Sequence, residues 1–96
     1  MTTEAGVSLT SEAAILSRLI RPEDENLTAD AAESLLRIRF ESRDLNRMHE
    51  LVARNQEDRL TPDERAEMDN YRRVSYLLDL MHSKARQSLK KHQAVR

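Results

Sequence analysis

The chain has 96 residues, of which 34% are charged, 39% hydrophobic and 3% aromatic, so its apolar side chains suffice for one small domain only if they are gathered on stripes. One Gly, two Pro and no Cys leave almost no chemistry for tight β-hairpins and none for a disulfide framework or a thiolate metal site. The net charge of -1 is unevenly spread, with nine acids and six bases in residues 1–48 and eight acids and ten bases in residues 49–96.

Residues 1–9 lack any period and are expected to be a tail preceding a single helical domain over residues 10–96. From Ser11 onward, Ala13, Leu16, Leu19 and Ile20 recur at helical spacing and predict a first helix over residues 11–21. Pro22 disfavours helical geometry at Arg21 and opens the acidic run Glu23-Asp24-Glu25 as a solvated linker. Thr28 is placed to cap a second helix over residues 29–40, with Ala32, Leu35, Leu36, Ile38 and Phe40 supplying its apolar side. Phe40, the only Phe, is expected to anchor the core. Ser42 is the candidate cap of a third helix over residues 43–55, carrying Leu45, Met48, Leu51 and Val52. No Pro or Gly separates these two helices, so two rods and one bent rod are both open. Residues 55–59 are polar and predict a turn.

Thr61-Pro62-Asp63-Glu64 is the clearest signal. Thr61 can cap, Pro62 suits the first helical position, and the Glu64 carboxylate can return to the cap amide. Nothing tells the helix to stop before about residue 91. Thirty helical residues span roughly 45 Å, against about 32 Å for a compact globule of this length. Its stripe, Met68, Tyr71, Val74, Leu77, Leu78, Met81, Ala85 and Leu89, is wide enough to pack on the earlier helices and still meet another molecule, so a homodimer is expected. Tyr71 is expected in the core and Tyr76 at an edge. The predicted fold is all-α: a helical hairpin or small bundle with a short N-terminal helix and one long C-terminal helix.

Candidate chemistry is sparse. There is no phosphate-binding Gly loop, nucleophile elbow or zinc spacing. Asp79 and His82 stand three apart, as in half of a di-metal bundle site, but His49 and Glu50 are the only further ligands in prospect. An isolated surface pair is therefore expected, with no metal and no cofactor. After Asp79 there is no acid, while Lys84, Arg86, Lys90, Lys91 and Arg96 follow. These cations either complement the helix dipole or contact nucleic acid or an acidic surface. No leader pattern or apolar run of about 20 residues is visible, so a cytoplasmic protein without a membrane span is expected.

Residues 11–24 (SEAAILSRLIRPED), 31–40 (AAESLLRIRF), 60–64 (LTPDE) and 83–90 (SKARQSLK) resemble a family of short helical bacterial proteins of planctomycete and cyanobacterial type. The resemblance covers most of the chain after Leu9. It implies a gene neighbourhood with a small HNH-type nuclease, and hence a nuclease partner or an antitoxin-like inhibitor. It implies no functional residues.

The expected function is noncatalytic: a protein-interaction module, antitoxin-like or regulatory toward a nuclease, with Glu23, Asp24, Glu25 and Tyr76 as contact residues. The acidic run could enter a basic nucleic-acid cleft by resembling phosphate charge. The alternative is a dimeric nucleic-acid-binding regulator using Lys84, Arg86, Lys90 and Lys91. A third reading, a metal-dependent bundle enzyme, predicts bound iron or manganese.

Overall fold

Short polar side chains decide where the helices begin. In the computed structural model, which describes residues 10–94, the Ser11 hydroxyl accepts the Ala14 amide at 3.1 Å and opens α1, Glu12–Ile20. The expected tail over residues 1–9, and Arg96, lie outside the described residues. Arg21 ends α1 in the left-handed region at φ 51°, and the following Pro22 disfavours its return to right-handed helical geometry. Thr28 caps α2, Ala29–Leu36, by accepting the Ala31 amide at 3.1 Å.

α2 stops four residues before the expected Phe40. The Arg37 and Ile38 amides turn back to the carbonyls of Ser34 and Leu35 at 3.2 and 3.1 Å, a tightened last turn. Beyond it, tertiary contacts take over. The Ile38 carbonyl meets His82 Nε2 at 2.8 Å, and Phe40 sits edge-on to Tyr71 with ring centroids 6.1 Å apart. Phe40 is thus half-buried outside any helix, and the second and third helices are separate.

α3, Ser42–Gln56, follows Glu41, which makes no side-chain cap bond; Ser42 is its first residue rather than its cap. The far end of α3 closes with two returning amides, Asp58 to the Asn55 carbonyl at 3.0 Å and Arg59 to the Arg54 carbonyl at 2.8 Å. This is a Schellman closure, and it holds Asp58 at φ 59°, a left-handed position that Gly occupies with least strain. Asp58→Gly is therefore expected to raise stability by a few tenths of a kcal/mol up to about 1 kcal/mol, relief of strain exceeding the extra freedom of the unfolded Gly. An unchanged or lower urea midpoint would show that Asp58 stabilises the turn in some further way.

α4 runs unbroken over Pro62–Ala94, 33 residues, as the absence of any breaker predicts. Its start is the anticipated reciprocal pair: the Glu64 amide to the Thr61 hydroxyl and the Thr61 amide to the Glu64 carboxylate, both at 3.1 Å. The fold is a small all-α bundle in which this long helix packs against the others; no strand occurs among the described residues. None of the described helices is long and apolar enough to cross a membrane.

The chain forms two compact units, and α4 contributes to both. One comprises, of the described residues, those up to Ile38 and those from Tyr76 onward. Among the described residues its fully buried positions are Ala32, Ala85 and Ser88, all small. Side chains of α4 hold the N-terminal segment by polar contacts: Tyr76 to the Ser17 hydroxyl at 2.8 Å, Lys84 Nζ to the Ile20 carbonyl at 2.5 Å, and Ser88, whose hydroxyl accepts the Leu27 amide at 3.2 Å. With Ser17 and Ile20 on the contact side, the expected apolar face of α1 is rotated. Leu19, predicted inward, is 74% exposed, and Ala13 is also exposed.

The second unit, Arg39–Ser75, contains α3 and the start of α4. Leu51 is its one fully buried residue. Leu45, Val52 and Val74 lie on the predicted apolar stripes, yet they are 42%, 43% and 49% exposed. Two helices bury one seam between them and leave the flanks of each stripe open.

Candidate functional site

Two α3 arginines and two α4 glutamates form a ladder along one side of the second unit. Arg47 grips Glu67 through two bonds of 2.8 Å, Nε to Oε2 and Nη2 to Oε1, and also reaches Glu50 at 2.5 Å and Glu64 at 3.6 Å. Arg54 pairs with Glu64 and approaches Glu50 at 3.4 Å. Glu50 and Glu64 therefore each serve two arginines, and the planar fork of Arg suits such bidentate and bridging contacts.

The ladder perturbs its carboxylates. Glu64 titrates below the usual range, chiefly because the Thr61 amide donates to its charged form, with Arg54 and Arg47 adding attraction. Glu67 is likewise lowered, first by its hydrogen bonds from Arg47. Tyr71 is pushed up, since its hydroxyl donates to the Asp44 carboxylate at 2.7 Å. For the two glutamates the folded pKa lies below the unfolded one, so their contribution is complete above the ordinary value of 4.5 and is lost as pH falls through the folded values. For Tyr71 the folded pKa lies above 10.0. Its contribution is complete below 10.0 and disappears as pH rises through the raised value. Unfolding midpoints should thus decline on the acid side of about pH 4.5, and combining Glu64→Gln with Glu67→Gln should flatten that limb. An acid limb unchanged by the double substitution would remove the ladder as its cause.

Away from the ladder, Met48, Leu51, Val52, Met68, Tyr71, Arg72 and Ser75 line an open groove of about 200 Å³. Its walls are mostly apolar, and the two Met side chains are flexible enough to repack around a guest.

The contact residues named from the sequence lie in the other unit. Glu23 is exposed, while Asp24 and Glu25 are half-buried, and Asp24 has Arg21 at 3.9 Å. Tyr76 is an edge residue as expected, 37% exposed, with its hydroxyl engaged by Ser17. The basic residues divide. Lys84 is half-buried and donates to the last carbonyl of α1, where a cation suits the negative end of that helix. Arg86, Lys90 and Lys91 are exposed, with Arg86 and Lys90 one turn apart on one face. His82 does not pair with Asp79; it turns to the Ile38 carbonyl, leaving Asp79 exposed. His92 meets the Leu27 carbonyl at 2.9 Å. Among the described residues no group of three or more His, Asp or Glu side chains is arranged to hold a metal ion.

No family model, curated protein or solved structure matches this chain.

Sequence reasoning missed the Arg47, Arg54, Glu64 and Glu67 ladder and the Asp44–Tyr71 bond. Arg47, Glu50 and Arg54 fall at steps of three and four, a visible signal of one charged face. Its acceptors lie 10 and 20 residues away along the chain, and no local rule supplies that pairing.

Proposed function

We propose that this protein is a noncatalytic interaction module that binds a protein partner through the unit formed by α3 and the start of α4. The observation that carries the reading is the uncovered apolar side of that unit: an open groove walled by Met48, Met68 and Tyr71. An amphipathic helix laid in such a groove would cover what two helices leave open. The resemblance described above favours a nuclease as the partner and an inhibitory or antitoxin-like role. The exposed Glu23 with the neighbouring Asp24 and Glu25 would then contact the nuclease's basic surface, and Tyr76 would be a further contact residue. Native-level copurification with quantitative mass spectrometry tests this. The expected result is a nuclease recovered in stoichiometric amount, lost when Arg72 in the groove wall is changed to Glu and weakened when Glu23 is changed to Gln.

The second reading, a nucleic-acid-binding regulator, rests on the exposed trio Arg86, Lys90 and Lys91. It requires affinity for duplex DNA that falls steeply with salt and a slope reduced by Lys90→Gln with Lys91→Gln. Flat, weak binding across 50 to 200 mM salt would remove it.

A further inference from the structure

The outward side of α3 carries no charge. Ser42, Leu45, Asn46, His49, Val52 and Ala53, with Gln56 one turn on, are all exposed, and at successive steps of three and four they share one face of the helix. None is Asp, Glu, Lys or Arg, in a chain that is 34% charged. Every charged residue of α3 lies elsewhere on it: Arg47 and Arg54 point to Glu64 and Glu67 on α4, Glu50 bridges the two arginines, Asp44 meets Tyr71, and Arg43 lines a polar cleft together with Asp44, Arg47 and Glu67. This inverts the usual order, in which the solvent face of a helix holds the charges. Depletion of charge marks the core of a protein interface rather than free surface.

We propose that this face binds the same face of a second copy of the chain, α3 against α3, antiparallel across a two-fold axis passing near His49. The inference rests on reading the unit as a docking element and names one occupant of it. Charge selects that occupant. A nuclease's basic surface calls for acids and a phosphate backbone calls for lysines and arginines, and this face offers neither, while a neutral face meets its own copy without like-charge repulsion. The spacing selects the register. The positions repeat every seven residues, Ser42 to His49 to Gln56 and Leu45 to Val52, as in a coiled-coil seam. Antiparallel pairing about His49 brings Leu45 of each chain against Val52 and Ala53 of the other, and Ser42 against Gln56. It also sets the two helix dipoles head to tail. A closed two-fold contact of this kind makes a dimer and stops there.

The 96-residue chain lacks cysteine, so single substitutions report the register directly. Sedimentation at micromolar concentration should give twice the chain mass, and Val52→Glu should weaken self-association at least tenfold with unchanged helicity, because Val52 is already 43% exposed. Under mild oxidation His49→Cys should crosslink to itself at least tenfold faster than Ser42→Cys does, since only positions at the axis bring both Cβ atoms within disulfide reach of about 4 Å. Ser42→Cys mixed with Gln56→Cys should instead form the mixed crosslink. A monomer at all concentrations, or equal self-crosslinking at 42, 49 and 56 as in a parallel pair, overturns the proposal. A monomer that still captures a nuclease rejects the dimer alone, and a dimer that captures none rejects the nuclease reading alone.

Discussion

Replacing Leu51 by Ala is expected to lower the unfolding free energy by about 2 to 4 kcal/mol, the loss from removing a buried leucyl side chain and leaving part of its volume empty. Leu51 is the fully buried member of the second unit, and it stands between Met48 and Val52 on α3 and the Met68 and Tyr71 side of α4 in the lining of the groove. Small domains hold only about 5 to 15 kcal/mol in all, so a loss of this size should shift the urea midpoint far while leaving its slope unchanged. Leu78, central to the α4 stripe, is half-buried, and Leu78→Ala should therefore lose less than Leu51→Ala. A change at Leu51 below about half a kcal/mol, the usual scale of surface substitutions, would place this side chain outside the core.

Ala85→Leu should destabilise the other unit by about 1 to 3 kcal/mol, for the opposite reason. Ala85 has no solvent exposure, and neither do Ala32 and Ser88 in the same unit. Small side chains leave no space for three added carbons, and the extra volume forces neighbours off their rotamers or separates the backbones. Separation would also strain the bonds from Lys84 to the Ile20 carbonyl and from the Leu27 amide to the Ser88 hydroxyl. Amide exchange should accordingly quicken in α1 and at Leu27 before it does in α3. A neutral or stabilising result would reveal unfilled space beside Ala85.

Local chemistry was legible wherever one short stretch of chain could satisfy its own backbone. Thr28 at the head of α2 and the Thr61–Glu64 pair at the head of α4 were readable because a cap and its target amide lie three residues apart. The uninterrupted α4 was readable for the same reason, since helix propagation needs only the absence of a breaker. The all-α class followed from composition and period together.

Tertiary structure decided what periodicity leaves open. Leu19, Leu45, Val52 and Val74 all obey helical spacing, yet each is exposed, because an apolar stripe states which residues could be buried and not how wide a partner covers them. Ser17, Lys84 and Ser88 turned α1 and the Leu27 segment by polar contacts across 59 to 64 positions of sequence, and no local pattern encodes such a separation. Phe40 lies beyond the end of the second helix, edge-on to Tyr71, an aromatic contact across 31 positions of sequence that local spacing does not encode. The charge-free face of α3 could be seen only after the Arg47 and Arg54 ladder showed which side of that helix meets α4. By itself the sequence determined four helix-forming segments and the caps of two; folding determined which of their faces remain for another molecule, because burial depends on what lies opposite a side chain and not on its own identity.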